Sequence, residues 1–121
     1  SLAVASFAKS QKWHSLIITA FPAHLPRAFA SAVTAAKHLG WPGKIYAACG
    51  APLPWDERVT HSHGTGAIPR YESVREEQKR LDAYCENGKP VPLLRSRELL
   101  AYLRERDLSA CAEMNSAKLG Q

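Results

Sequence analysis

The stretch Trp13-His14-Ser15-Leu16-Ile17-Ile18-Thr19-Ala20-Phe21, closed by Pro22, decides how this chain is read. It is apolar and β-branched almost throughout, the composition of a strand buried in the middle of a sheet. Pro26 then stands where helices accept proline, in a first turn. Arg27 to Leu39 is alanine-rich, and Phe29, Val33 and Ala36 share one helical face. Gly40 follows as a stop, reinforced by Pro42. Lys44-Ile45-Tyr46-Ala47-Ala48-Cys49 is a second strand. Strand, helix and strand joined by short loops make a βαβ unit.

Upstream, Leu2 to Ala8 reads as an extra strand or edge segment, and Ala8-Lys9-Ser10-Gln11-Lys12 as a polar break of hairpin length. Downstream, Gly50 to Glu57 holds Pro52, Pro54 and Trp55 and is a loop. Arg58 to Ile68 suits a strand that enters a glycine turn, closed by Pro69. Ser73 with Glu76 reads as a capping box. It opens a helix that runs to about Glu86, with Val74, Leu81 and Tyr84 or Cys85 inside and Asn87-Gly88 as its stop. Pro90 to Leu94 fits a short edge strand. Ser96 caps a last helix, Arg97 to about Asp107, with Leu99, Leu100 and Leu103 as its buried stripe. Residues 109–121 are a small polar tail, a frayed helix or disordered. This order predicts an α+β class, a ferredoxin-like split βαβ sandwich (βαββαβ) with an extra N-terminal strand and a C-terminal helix. The domain spans residues 1–108. The alternative is a three-layer α/β fold with a mostly parallel sheet.

The 121 residues fit one domain. A hydrophobic content of 45% is too high for a disordered chain, and no apolar run approaches the ~20 residues that span a bilayer. Cys49, Cys85 and Cys111 are odd in number and widely spaced, unlike a disulfide framework, and form no CxxC pair, which argues against a cysteine-only zinc site. They read as thiols of a reducing compartment. The first residues lack a basic lead and their apolar run is broken by Lys9 and Lys12, so no signal peptide is read and a cytoplasmic location is expected. Sixteen Lys and Arg against eleven Asp and Glu give a charge of +5. That excess favours an anionic partner.

Three features bear on chemistry. His61-Ser62-His63 places two imidazoles on one face of a strand, where a divalent metal is the implied cofactor. Cys49, His14, Asp56 or Glu57 would supply a third ligand. The pair is similar, over three residues, to the His-hydrophobic-His motif of endonucleases that cleave single-stranded DNA in replication initiation and conjugation. That resemblance implies a ferredoxin-like sheet carrying the histidines and a nucleophilic tyrosine on a helix, for which Tyr84 stands on the following helix. Ser62 departs from the hydrophobic middle position, and the commoner reading of so short a match is a pair of surface histidines in a glycine turn. Gly64-Thr65-Gly66 suits phosphate-cradling backbone only weakly, since Pro69 occupies the place of a third glycine. Finally, Arg70, Tyr71, Arg75, Lys79 and Arg80 gather basic charge and an aromatic ring around one helix, a pattern suited to phosphate backbone contact. Glu72, Glu76, Glu77 and Asp82 are interleaved, and Glu76–Arg80 is an i,i+4 pair. Trp41 and Trp55, in loops, suit stacking on a base or a peptide and equally suit capping the core; Trp41 reads as core and Trp55 is open to either.

The leading expectation is therefore a basic accessory module that binds nucleic acid through its phosphates. The alternatives are a metal-dependent nuclease or phosphoryl-transfer enzyme centred on His61 and His63, and a protein-interaction or inhibitor module.

Overall fold

The computed structural model describes residues 1–60 and 66–120. The chain is a mixed α/β fold of four helices and two small two-stranded sheets among those residues. Its centre is the expected βαβ unit: β1 (Ser15–Ala20), α2 (Leu25–His38) and β2 (Lys44–Cys49), preceded by α1 (Leu2–Ser10). β1 and β2 are direct parallel neighbours, with Leu16 opposite Ile45 and Ile17 opposite Tyr46. Pro26 lies in the first turn of α2, and Gly40 leaves the helix with a positive φ of 60°, a conformation glycine adopts without steric penalty. Phe29, Val33 and Ala36 are buried as their spacing predicts, and they pack with Ala8, Trp41 and Ile45.

Leu2 to Ala8 is helix, not strand. Ala5 and Ala8 lie on one helical face and are buried, and small side chains let α1 lie close to α2. The expected hairpin break is the end of this helix, where Lys12 takes a positive φ of 55° and Trp13 N–H bonds to Ala8 O. Nor is β1 buried on both faces. Its burial alternates, and Ile17 is 66% exposed. A continuous apolar run cannot by itself distinguish a central strand from a half-covered one.

The full βαββαβ succession is not formed among the described residues. No strand separates β1 from β2. Pro90 to Leu94 is an irregular segment, fastened by Leu93 N–H to Tyr84 O and Leu94 N–H to the buried Thr34 hydroxyl, both at 3.0 Å. β3 (Arg58–Val59) and β4 (Ile68–Pro69) form a short antiparallel pair. α3 (Glu72–Asn87) begins at Tyr71, without the Ser73–Glu76 capping box. α4 spans Ser96–Leu119 and so takes in most of the expected tail. Its opening is tied by Glu98, whose carboxylate accepts the Arg95 N–H at 2.8 Å, in place of a Ser96 cap. Leu99 and Leu103 pack with Tyr102 against the core, whereas Leu100, like Val74 and Tyr84 on α3, is exposed.

α4 also closes one edge of the sheet. Ile45 N–H donates to the Tyr102 hydroxyl at 2.7 Å, and the Arg106 guanidinium donates to Ile45 O at 2.8 Å while lying over the Tyr46 ring. Burial pushes the Tyr102 hydroxyl above its ordinary pKa. No described helix is long and apolar enough to cross a membrane.

Candidate nucleic-acid interface

α3 is held in place by a buried carboxylate. Glu77, with 6% of its side chain exposed, accepts hydrogen bonds from Arg27 Nε at 2.7 Å, His24 Nδ1 at 2.9 Å and Arg80 Nη1 at 3.0 Å. Burial alone would raise its pKa, but the hydrogen bonds and charges of Arg27 and His24 outweigh that and hold it at about 2. An ionised carboxylate only accepts, so the contact with Glu77 is a hydrogen bond in the His24 tautomer that carries its proton on Nδ1. Phe21 stacks on the His24 ring, and Arg27 lies 5.6 Å above the centre of Tyr84. The cluster fastens the start of α2, just beyond the end of β1, to the middle of α3.

This anchor sets which side of α3 faces out. A cleft of about 490 Å³ runs along the helix, lined by Ile68 and Ser73, by the bases Arg75, Lys79 and Arg80, and by the acids Glu72, Glu76 and Glu77. Lys79 is 73% exposed and pairs with Glu76 at 2.9 Å, one turn away. That contact lowers the Glu76 pKa. Arg80 turns to Glu77, not to the Glu76 expected from i,i+4 spacing. Arg75 is exposed and has no ionic or hydrogen-bonding partner among the described residues. Ser73 is 2% exposed, and its hydroxyl is buried without a hydrogen-bond partner there. Buried polar groups are normally satisfied, so this hydroxyl is an exception among the described residues, and it is covered from solvent and not presented to the cleft.

Arg70 stands apart from this group. It bonds to the Glu57 carboxylate and donates to Pro54 O at 3.0 Å, clamping the proline-bearing loop against the start of α3. The backbone repeats the clamp: Arg70 N–H donates to Glu57 O and Tyr71 N–H to Trp55 O, both at 2.9 Å. Trp55 and Tyr71, both exposed, therefore leave the chain from hydrogen-bonded positions.

The expected metal centre falls differently. His61 and His63 lie outside the described residues. Cys49 is exposed at the end of β2, and Tyr84 is exposed on α3 beneath Arg27. Among the described residues no three His, Cys, Asp or Glu side chains gather as a metal site.

Sequence reasoning missed Glu77 as an anchor and the burial of Ser73. Glu77 looks like one solvated acid among several. The signal that could single it out is its place on the same face as Ser73 and Leu81, four residues to either side. No family model matches the chain, and no curated protein or solved structure reaches significant similarity to it.

Proposed function

We propose that the α3 face binds single-stranded nucleic acid, mainly through its phosphates. The carrying observation is the cleft where Arg75, free of any acidic partner among the described residues, adjoins Lys79 and Arg80. Guanidinium and ammonium groups are both phosphate donors. Lys79 is available as well, because a solvent-exposed pair such as Lys79–Glu76 is weak and yields readily to a phosphate. Arg80 stays with the buried Glu77 and adds field without a direct contact. The acids Glu72 and Glu76 temper the site, so affinity is modest.

Trp55 and Tyr71 favour unpaired strands. Their exposed rings stand at the N-terminal end of the same helix, and stacking on an aromatic ring contributes about 1–3 kcal/mol per base without sequence readout. With two phosphates neutralised, log K falls against log salt with a slope of roughly −1.4.

The test is fluorescence anisotropy with a labelled single-stranded oligonucleotide at low salt. Arg75→Glu/Lys79→Glu weakens binding about tenfold or more and flattens the salt slope, and Trp55→Ala weakens it about tenfold with the slope unchanged. No binding at low salt, or a charge-reversed variant that binds like the parent, refutes the proposal.

A further inference from the structure

The two edges of the parallel sheet are treated differently. Lys44 N–H donates to His14 O, which fixes the phase of the ladder. The backbone groups of Leu16 and Ile18 therefore turn toward β2, and those of Ser15, Ile17 and Thr19 turn away from it. On β2 the outward-turned groups include those of Ile45, and Tyr102 and Arg106 of α4 occupy both of them. The outer edge of β1 has no strand neighbour among the described residues. It also lacks two of the usual protections: Ser15-Leu16-Ile17-Ile18-Thr19-Ala20 holds no charge and no proline. Two strands alone are too few for an independently stable sheet, and parallel strands are ordinarily well covered.

We propose that this edge pairs with the same edge of a second copy, joining two sheets into one of four strands. The sequence of β1 is self-complementary in one antiparallel register, centred on Ile17. There Ile17 faces Ile17 of the second copy, Ser15 faces Thr19, and Leu16 faces Ile18. Each opposing pair matches in polarity. The outward-turned backbone groups belong to Ser15, Ile17 and Thr19, so Ile17–Ile17 and both Ser15–Thr19 pairs are the ones that exchange hydrogen bonds. A register shifted by one residue sets outer-face side chains against inner-face ones and loses this match. Ile17, the largest apolar side chain on the open face of β1, then packs beside its counterpart from the second copy. The contact consumes the edge of both copies, so assembly stops at a dimer.

Sedimentation velocity on the whole chain across micromolar concentrations tests this, with a dimer expected and no larger species. Ile17→Lys places two like charges opposite one another and weakens the dimer about tenfold or more. Position 17 points to solvent, so the variant should keep its far-ultraviolet circular dichroism spectrum. Ile17→Glu behaves the same way alone, and an equimolar mixture of the Lys and Glu variants restores a dimer. A parent chain that stays monomeric overturns the proposal, whether the edge is bare or taken by another protein. So does an open-ended polymer, a dimer unaffected by Ile17→Lys, or folded variants that fail to recombine.

Discussion

Replacing Glu77 by alanine is expected to lower stability by about 3–5 kcal/mol, read from urea unfolding followed by circular dichroism. The carboxylate contributes little apolar packing. What its removal exposes is the charge it neutralises. Arg27 and His24 would remain close together, with Arg27 Nη2 3.0 Å from His24 Nδ1, and without the acceptor that holds them. Removing one partner of a buried ion pair leaves an uncompensated charge, and that cost exceeds the net worth of the pair. Glu77→Gln keeps the shape and one acceptor oxygen and should fall between alanine and the parent. Arg27→Met/Glu77→Leu should recover much of the loss, since matched apolar groups avoid the orphaned charge. A Glu77→Ala protein as stable as the parent would show that the cluster does not join α2 to α3 energetically.

The same carboxylate sets an acid limit. Its pKa is about 2 in the folded chain against an ordinary value of 4.5. A group whose folded pKa lies below its unfolded one stabilises the fold above the unfolded value. That contribution fades as pH falls from about 4.5 toward 2, and it is on the order of 3 kcal/mol. Unfolding free energy measured across this window should therefore drop for the parent and drop less steeply for Glu77→Gln.

The βαβ unit was readable because each of its signals is local. Pro26 and Gly40 bracket a periodic alanine-rich run, and β-branched segments flank it. Elsewhere the outcome rests on partners distant in sequence. Leu2 to Ala8 is apolar in a way that suits strand or helix. Ala5 and Ala8 settle it by meeting α2, which the segment itself does not reveal. Ser73 and Glu76 have capping-box spacing, but Arg70 and Tyr71 are tied to the loop at Trp55–Glu57, so the helix begins early and Ser73 is drawn inside. The basic face of α3 could be named from spacing. Which acid each base would take could not, because Arg80 chooses Glu77 through the burial that Arg27 and His24 impose. Arg70 looks like part of the same basic set until Glu57 and Pro54 engage its guanidinium.

Trp41→Ala is the second large effect expected, about 3–5 kcal/mol by urea unfolding. Trp41 is 5% exposed and packs in the core cluster with Phe29, Val33 and Ile45. Its backbone N–H caps α2 through Ala36 O at 2.9 Å, and its indole N–H donates to Trp13 O at 3.2 Å, fastening the approach to β1. Alanine keeps the backbone bond but leaves a cavity and strands the Trp13 carbonyl. The ring lies so close to Gly43 that a Cβ there would fall 2.0 Å from Trp41 Cζ2. Gly43→Ala therefore forces the indole out of its place, at a cost of about 1–3 kcal/mol or more. The two substitutions share one cause, so their effects should not add. In a Trp41→Ala background the added methyl meets empty space, and Gly43→Ala should then cost much less than in the parent. Additive losses would mean that Gly43 matters for its backbone and not for the ring above it.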